Sequence, residues 1–211
     1  MHYRKLAGFS VAEMLASLAI VVILALATIF ELNSYQKGEE LRTAARQLAG
    51  DIRSVQSSAF SARNIKACPL GAGKVICEES EAMCTPGTCV LTIPQSYGIS
   101  FNVNSTIYEM FADLNPVVAD YKLTDQSELL AKRFISALGG QNVVIDSILV
   151  NNVPGSTRAD ITFLRQSGDV TFVTAPVAPG AAVITIKLRH LTTGATQSIE
   201  INKATGRISI L

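Results

Sequence analysis

An apolar run near the amino terminus constrains this chain more than any other feature. Residues 14–30 contain Ser17 and Thr28 but no charged residue, glycine or proline. Extended to residues 9–32, the run has roughly the ~20 residues that a helix needs to cross a ~30 Å hydrocarbon layer. The leader before it, residues 1–8, is basic, which predicts an amino terminus in the cytoplasm and the remainder of the chain outside.

The helical pattern continues beyond this run. Apolar residues recur there at steps of four and three: Leu41, Ala45, Leu48, Ile52, Val55 and Ala59. Because charged residues occupy the other faces, the stripe predicts an amphipathic half of the same helix over residues 33–64, packed on a sheet of the same chain. A coiled coil with a partner is the alternative. Asn64, followed by Pro69, predicts the end of the helix.

Residues 65–211 are expected to form a β-rich head. Residues 97–103 alternate strictly between apolar and polar positions, as a half-buried strand does. Glycine-containing turns at 167–169 and 193–194 each lie between two β-like runs and predict hairpins. Seven or eight short strands indicate a sandwich or a strongly curved sheet. The predicted fold class is therefore α+β, with a long helix packed on antiparallel strands.

One segment of the head is ambiguous. Residues 127–138 suit a helix at steps of four, but they also alternate as a strand does. We favour a strand, because residues 142–150 follow Gly139 and Gly140 like a hairpin partner. The polar segment before it, residues 113–127, reads as a loop. Acids in or near this loop lack the spacing of an EF-hand, so a solvated loop is favoured over a Ca²⁺ site; they are Asp113, Asp120, Asp125 and Glu128.

The cysteines are clustered in one loop-like segment: Cys68, Cys77, Cys84 and Cys89. In an exported head, an even number of clustered cysteines predicts disulfides. The Thr85–Thr88 sequence suits a type II turn that brings Cys84 and Cys89 together, and Cys68 would then pair with Cys77. Four cysteines allow three connectivities, and zinc is the alternative, although the spacings lack the paired knuckles of structural zinc sites.

The sequence contains no pattern that indicates catalysis. No H-x-x-x-H pair, phosphate loop or G-x-S-x-G elbow occurs, so we predict neither an enzyme nor a cofactor or metal requirement. His190 lies near a strand end and is expected at the surface or edge of the sheet. Without the leader the chain has 16 basic and 17 acidic residues, which argues against a general affinity for nucleic acid.

Three interpretations fit the apolar run. A secretory signal has the same basic start, and residues 25–27 offer a small-x-small cleavage site. A plain membrane anchor is the second interpretation. Glu13 fits neither, because a carboxylate in lipid costs about 2.5 to 3.5 kcal/mol on insertion scales and so requires a partner. The amino terminus of a neighbouring subunit is that partner if the chain is cut before Phe9.

Residues 8–20, GFSVAEMLASLAI, resemble the cleavage and methylation motif of type IV pilins and type II secretion pseudopilins. The resemblance implies that a prepilin peptidase cuts after Gly8 and methylates the new amino-terminal Phe9. It also implies that Glu13 pairs with a neighbour's amino terminus during assembly. The implied fold is pilin-like, with the head outside the cytoplasmic membrane. The implied partners are that membrane, the peptidase, an inner-membrane assembly platform and the other subunits of an extracellular or periplasmic filament.

The head resembles a narrower group more loosely. A YGISF strand, an Ile-Thr-Phe strand and the closing residues 199–210 follow one another as in the H-type minor pseudopilins and FimT minor pilins. This resemblance implies a minor subunit. Some members of that group bind DNA through a basic carboxy-terminal segment, so DNA uptake is the alternative function, with Lys187, Arg189 and Arg207 as the candidate contacts.

Overall fold

The computed structural model describes residues 11–70, 73–77, 89–114, 123, 128–135 and 142–211. These residues form one α-helix, α1 (Val11–Phe60), and thirteen strands. The chain divides into two compact units, Met1–Glu39 and Glu40–Leu211. The strands all belong to the second unit: β1 (Ile65–Leu70), β2 (Gly73–Ile76), β3 (Val90–Thr92), β4 (Ser96–Asn102), β5 (Ile107–Asp113), β6 (Leu129–Phe134), β7 (Val143–Val150), β8 (Val153–Ser156), β9 (Arg158–Leu164), β10 (Val170–Ala175), β11 (Val183–His190), β12 (Thr196–Asn202) and β13 (Ile208–Ile210).

The strands form three antiparallel sheets. The small sheet has the order β2-β1-β3, the β4 sheet has the order β10-β9-β4-β5-β6, and the β11 sheet has the order β13-β12-β11-β7-β8. Only Thr157 separates β8 in one five-stranded sheet from β9 in the other. The chain therefore turns directly from the β11 sheet into the β4 sheet, as strands do at the corner of a sandwich.

The helix α1 ends with a Schellman motif. The amide of Arg63 donates to the carbonyl of Ser58, and the amide of Ala62 donates to the carbonyl of Ala59. Ala62 has a φ of 47°, the left-handed conformation that this motif requires and that glycine usually provides. The helix thus ends at Phe60, before the predicted Asn64, because this cap terminates it.

One hydrophobic core joins the second half of the helix to both five-stranded sheets. All six residues of the predicted stripe are buried, with exposed fractions of 5% or less. They pack against alternating aliphatic and aromatic residues, such as Ile99 of β4 and Ile186 of β11, which are both fully buried. The structure confirms the predicted fold class, a long amino-terminal helix packed on antiparallel sheets, and the predicted role of the stripe in the core.

Most of the predicted strands are present. Tyr97, Ile99 and Phe101 alternate into the core from β4. The two predicted hairpins are β9–β10 and β11–β12, in continuous antiparallel register. The ambiguous residues 127–138 contain strand β6, as favoured, and its edge position in the β4 sheet accounts for the polar residues along it.

The described part of the head contains thirteen strands and not the seven or eight predicted, and it differs from the predictions in three further respects. Strand β6 does not pair with β7, because β6 pairs with β5 and β7 pairs with β11 in the other sheet. The cysteine segment is not all loop, since β1 and β2 form a hairpin in which Pro69 lies opposite Lys74. Strand β8 was missed because Pro154 and Gly155 interrupt its pattern; an edge strand tolerates both.

Candidate assembly helix and interaction sites

The first 18 described residues of α1 are apolar and exposed. Val11–Thr28 has a mean hydropathy of 2.4, and none of it is buried by the rest of the chain. Eighteen helical residues span about 27 Å, close to the hydrocarbon thickness of a bilayer. The helix is thus long and apolar enough to cross a membrane. Leaving it in water would expose large side chains such as Met14 (74% exposed) and Leu18 (64% exposed).

The polar groups within this segment are compatible with an apolar environment. The hydroxyl of Ser17 donates to the carbonyl of Glu13 at 2.9 Å, and the hydroxyl of Thr28 donates to the carbonyl of Ala25 at 2.8 Å. Both hydroxyls therefore find partners within the helix and do not require water. Glu13 itself lies in the first described turn of α1. Gly8 and Phe9, the predicted cleavage site, lie outside the described residues.

The second half of α1 is fixed to the β11 sheet by polar contacts as well as by the core. A side-chain nitrogen of Arg53 donates to the carbonyl of Ile208 at 3.2 Å, and the amide of Gln56 donates to the carbonyl of Gly206 at 3.3 Å. Because Gly206 lies just before β13 and Ile208 is its first residue, the helix holds this strand in place. This leaves the position of the helix well defined relative to this sheet.

His190 provides another contact between the helix and the β11 sheet. Its Nε2 lies 3.3 Å from Oε2 of Glu40, and its Nδ1 accepts bonds from the amides of Thr192 and Thr193. The prediction that His190 lies at the surface or edge was wrong: it is 1% exposed. Alternation along β11 places His190 on the same side as Leu188, facing the core. Partners on both ring nitrogens offset the cost of burying this polar ring.

Two tyrosines fix the helix to the β4 sheet. The hydroxyl of Tyr108 donates to the carboxylate of Asp51, and the hydroxyl of Tyr97 donates to the carbonyl of Arg63, just beyond the helix. Burial, followed by the hydrogen bond and charge of Asp51, raises the pKa of Tyr108 above its ordinary value. Tyr108 therefore remains a neutral hydrogen-bond donor at physiological pH.

The described cysteines converge at the small sheet. The Sγ of Cys68 lies within bonding distance of the Sγ atoms of both Cys77 and Cys89, which are 3.8 Å from each other. A sulfur forms only one disulfide, so at most one of these two contacts is a bond. Cys84 lies outside the described residues. The pairing of Cys68 with Cys77 and of Cys84 with Cys89 thus stays a prediction, with Cys68–Cys89 as the competing bond.

The same three sulfurs lie within 4.8 Å of one another. In the described part of the chain they are therefore the group of side chains close enough together to hold a metal ion. For two of the acids considered for Ca²⁺, the prediction of a solvated loop was wrong. Asp113 ends β5 and is fully buried, and Glu128 is 7% exposed. Asp120 and Asp125 lie outside the described residues, so the prediction of a solvated loop there remains a prediction.

The three basic residues considered for DNA lie in the β11 sheet and its last turn. Lys187 and Arg189 project from the same side of β11, and Arg207 is exposed before β13. Arg189 is paired with Asp146 at 2.6 Å. Glu200 lies diagonally across from Lys187 on the neighbouring strand. The basic charge on this face is therefore interspersed with acidic charge.

An open groove of about 640 Å³ lies where the two large sheets approach one another. Its described lining includes Val170 at the start of β10, Ala181 before β11, and the oppositely charged Asp169 and Lys203. One acid, one base and several small residues do not define a particular ligand. Sequence patterns gave no indication of this groove, because residues far apart in the chain form it.

The contacts between the helix and the sheets could not be predicted from sequence. Periodicity identified which face of the helix is buried, but it does not show which strand lies opposite each residue. The one available signal was the presence of polar residues beside the stripe, including Asp51, Arg53 and Gln56. From the sequence alone, such residues indicate only the polar faces of the helix.

No protein-family model and no curated protein matches the sequence. One solved structure is similar, the crystal structure of the type IV minor pilin FimU from Pseudomonas aeruginosa strain PAO1. The similarity has a TM-score of 0.42 and 14% sequence identity, and it covers 84% of this chain and 92% of that chain. Similarity at this level establishes neither a common fold nor a common function.

Proposed function

We propose that this chain is a minor subunit of a type IV pilus or a type II secretion-type filament. The observation that carries the proposal is an exposed apolar helix, Val11–Thr28, that continues without interruption into a helix forming part of the core. A cleaved secretory signal does not require this continuity. The pilin-like sequence at residues 8–20 immediately precedes and overlaps the exposed segment.

The proposed mechanism is mechanical. The apolar helix anchors each subunit in the cytoplasmic membrane, with the head outside. A prepilin peptidase then cuts after Gly8 and methylates Phe9. An inner-membrane platform then moves the subunits into a filament whose interior consists of the packed apolar helices. Glu13 supports this step because its carboxylate can pair with the amino terminus of a neighbouring subunit, and this opposite charge lowers the cost of placing a carboxylate in an apolar environment.

The intact mass of the native protein tests the proposal directly. We expect a mature chain that begins at N-methylated Phe9. A chain that begins at Thr28 would show signal-peptidase processing and would overturn the proposal. A chain retaining residues 1–8 in cells that contain a prepilin peptidase would do the same.

Substitution of Glu13 tests the assembly step separately from processing. In Glu13→Gln the mature mass should still show cleavage after Gly8, but incorporation into sheared filaments should fall strongly, because the pairing charge is lost. Ser17→Ala is the matched control, since Ser17 lies one turn away and its hydroxyl bonds only within the helix. Normal incorporation of Glu13→Gln would contradict the role proposed for Glu13.

DNA uptake is the second candidate function. The shared orientation of Lys187 and Arg189 favours it, whereas Asp146 and Glu200 reduce the positive potential of that face. If the face binds DNA, affinity should fall steeply with salt, and substitution of Lys187, Arg189 and Arg207 by alanine should reduce the slope by about one unit for each lost phosphate contact. Absence of binding at low salt would exclude this function.

A further inference from the structure

A cavity of about 280 Å³ lies between the last turns of α1 and the β5–β6 side of the β4 sheet. Asp51, Ser54 and Ser58 line it from the helix, at spacings of three and four residues that place them on one face. Arg63 follows the end of the helix, and Arg133 lies on the edge strand β6. Aliphatic side chains from the neighbouring strands complete the wall.

The charges around this cavity are not balanced. Two arginines and one aspartate leave the lining with one net positive charge. Asp51 accepts the hydroxyl of Tyr108, so part of its hydrogen-bonding capacity is already used. Arg63 and Arg133 are both exposed, and neither forms an ion pair with a residue in the described part of the chain.

We propose that this cavity is a binding site for a single carboxylate group. Guanidinium groups bind carboxylates through paired, charge-assisted hydrogen bonds, and hydroxyls such as those of Ser54 and Ser58 can donate to the remaining lone pairs. One net positive charge matches a monoanion. A dianion such as phosphate would leave an uncompensated negative charge beside Asp51 and the carbonyl end of α1. The site does not depend on the filament role proposed above.

A purely structural role makes a different prediction. If Arg63 and Arg133 only offset the charge of Asp51 and of the helix end, added carboxylate would not saturate the site. Replacing either arginine would then change stability without changing any ligand response. Ligand binding and unfolding therefore have to be measured on the same variants.

The test uses the full chain in detergent micelles with ¹⁵N-labelled arginine. Sodium acetate is titrated against sodium chloride at constant ionic strength while the arginine Nε–H signals are followed by NMR. We expect two arginine signals to shift saturably with one common dissociation constant. In Arg133→Gln the affinity should fall about tenfold or more, because a charge-assisted hydrogen bond is lost. Arg46→Gln, an exposed arginine of α1 that does not line the cavity, is the matched control.

Further ligands identify the source of the carboxylate. Tighter binding of a capped Gly-Glu-Gly peptide than of acetate, with no binding of Gly-Gln-Gly, would support the site and assign it to an acidic side chain of another polypeptide. Equal binding of acetate and the glutamate peptide would support the site and assign it to a small free carboxylate. The proposal is overturned if no signal saturates, if phosphate binds more tightly than acetate, or if the Arg63 signal in Arg133→Gln responds to acetate with unchanged affinity.

Discussion

Tyr108 combines complete burial with a polar contact between helix and sheet. Its ring is 1% exposed in the core, and its hydroxyl reaches Asp51 on the helix. In Tyr108→Phe the carboxylate loses this donor while the packing of the ring is retained. We expect a loss of about 1–3 kcal/mol in the free energy of unfolding at pH 7, measured by urea denaturation. Tyr35→Phe, at an exposed position, should change it by less than about 0.5 kcal/mol.

The raised pKa of Tyr108 gives the pH dependence a definite sign. A phenol in the unfolded chain titrates near pH 10, whereas burial and Asp51 keep the folded phenol protonated to higher pH. The contribution is therefore fully present below about pH 10 and is lost as pH rises further, by about 1.4 kcal/mol per pH unit. The Phe variant should show a shallower alkaline decline than the wild type. Identical alkaline slopes would contradict this assignment.

At the scale of single strands, Gly98 shows how closely β4 and β5 pack. It lies directly opposite Phe111, and a Cβ atom at Gly98 would overlap the ring of Phe111. Because Phe111 is fully buried, its ring has little room to move. Gly98→Ala should destabilise the protein by about 1–3 kcal/mol in thermal or urea unfolding.

Gly50 provides the matched control for this substitution. It is exposed on α1, and no atom lies within 4 Å of the position that a Cβ would occupy. Gly50→Ala should stabilise the protein by about 0.5–1 kcal/mol, because alanine loses less conformational entropy in a helix. Equal effects at the two positions would show that the Phe111 ring does not restrict Gly98.

The cysteine hairpin can be tested by peptide mapping of the unreduced protein. If Cys68 pairs with Cys77, the bond lies within the β1–β2 hairpin and the remaining bond joins Cys84 to Cys89. If Cys68 pairs with Cys89, it joins β1 to the residue before β3, and Cys77 pairs with Cys84. The type II turn that the sequence predicts at Thr85–Thr88 favours the first pattern. Recovery of a Cys68–Cys89 peptide would replace it with the second.

At the scale of the whole molecule, the core is contained in one of the two units. The stripe of α1 that packs on the sheets begins at Leu41, after the boundary at Glu39 and Glu40. We therefore expect residues 38–211 to fold without the apolar segment. Their melting temperature should lie within a few degrees of that of the full chain, and sedimentation should show a soluble species without detergent. Aggregation or loss of the folding transition would contradict this division.

The sequence alone determined which residues are buried in α1 and β4. A period of 3.6 identified the stripe from Leu41 to Ala59, and a period of two identified the inward residues of β4, because burial repeats with the geometry of each element. Local turn chemistry identified the β9–β10 and β11–β12 hairpins. These features depend only on neighbouring residues.

Only the tertiary structure decided how the elements meet. It placed β6 and β7 in different sheets, buried His190 against Glu40, and brought Arg63 and Arg133 to one cavity. Each of these results involves residues that are distant in sequence. The packing of the complete core selects which of them meet, and this selection leaves no periodic signal in the sequence. The physical reason is that periodicity reports which face of an element is apolar but not which element covers that face.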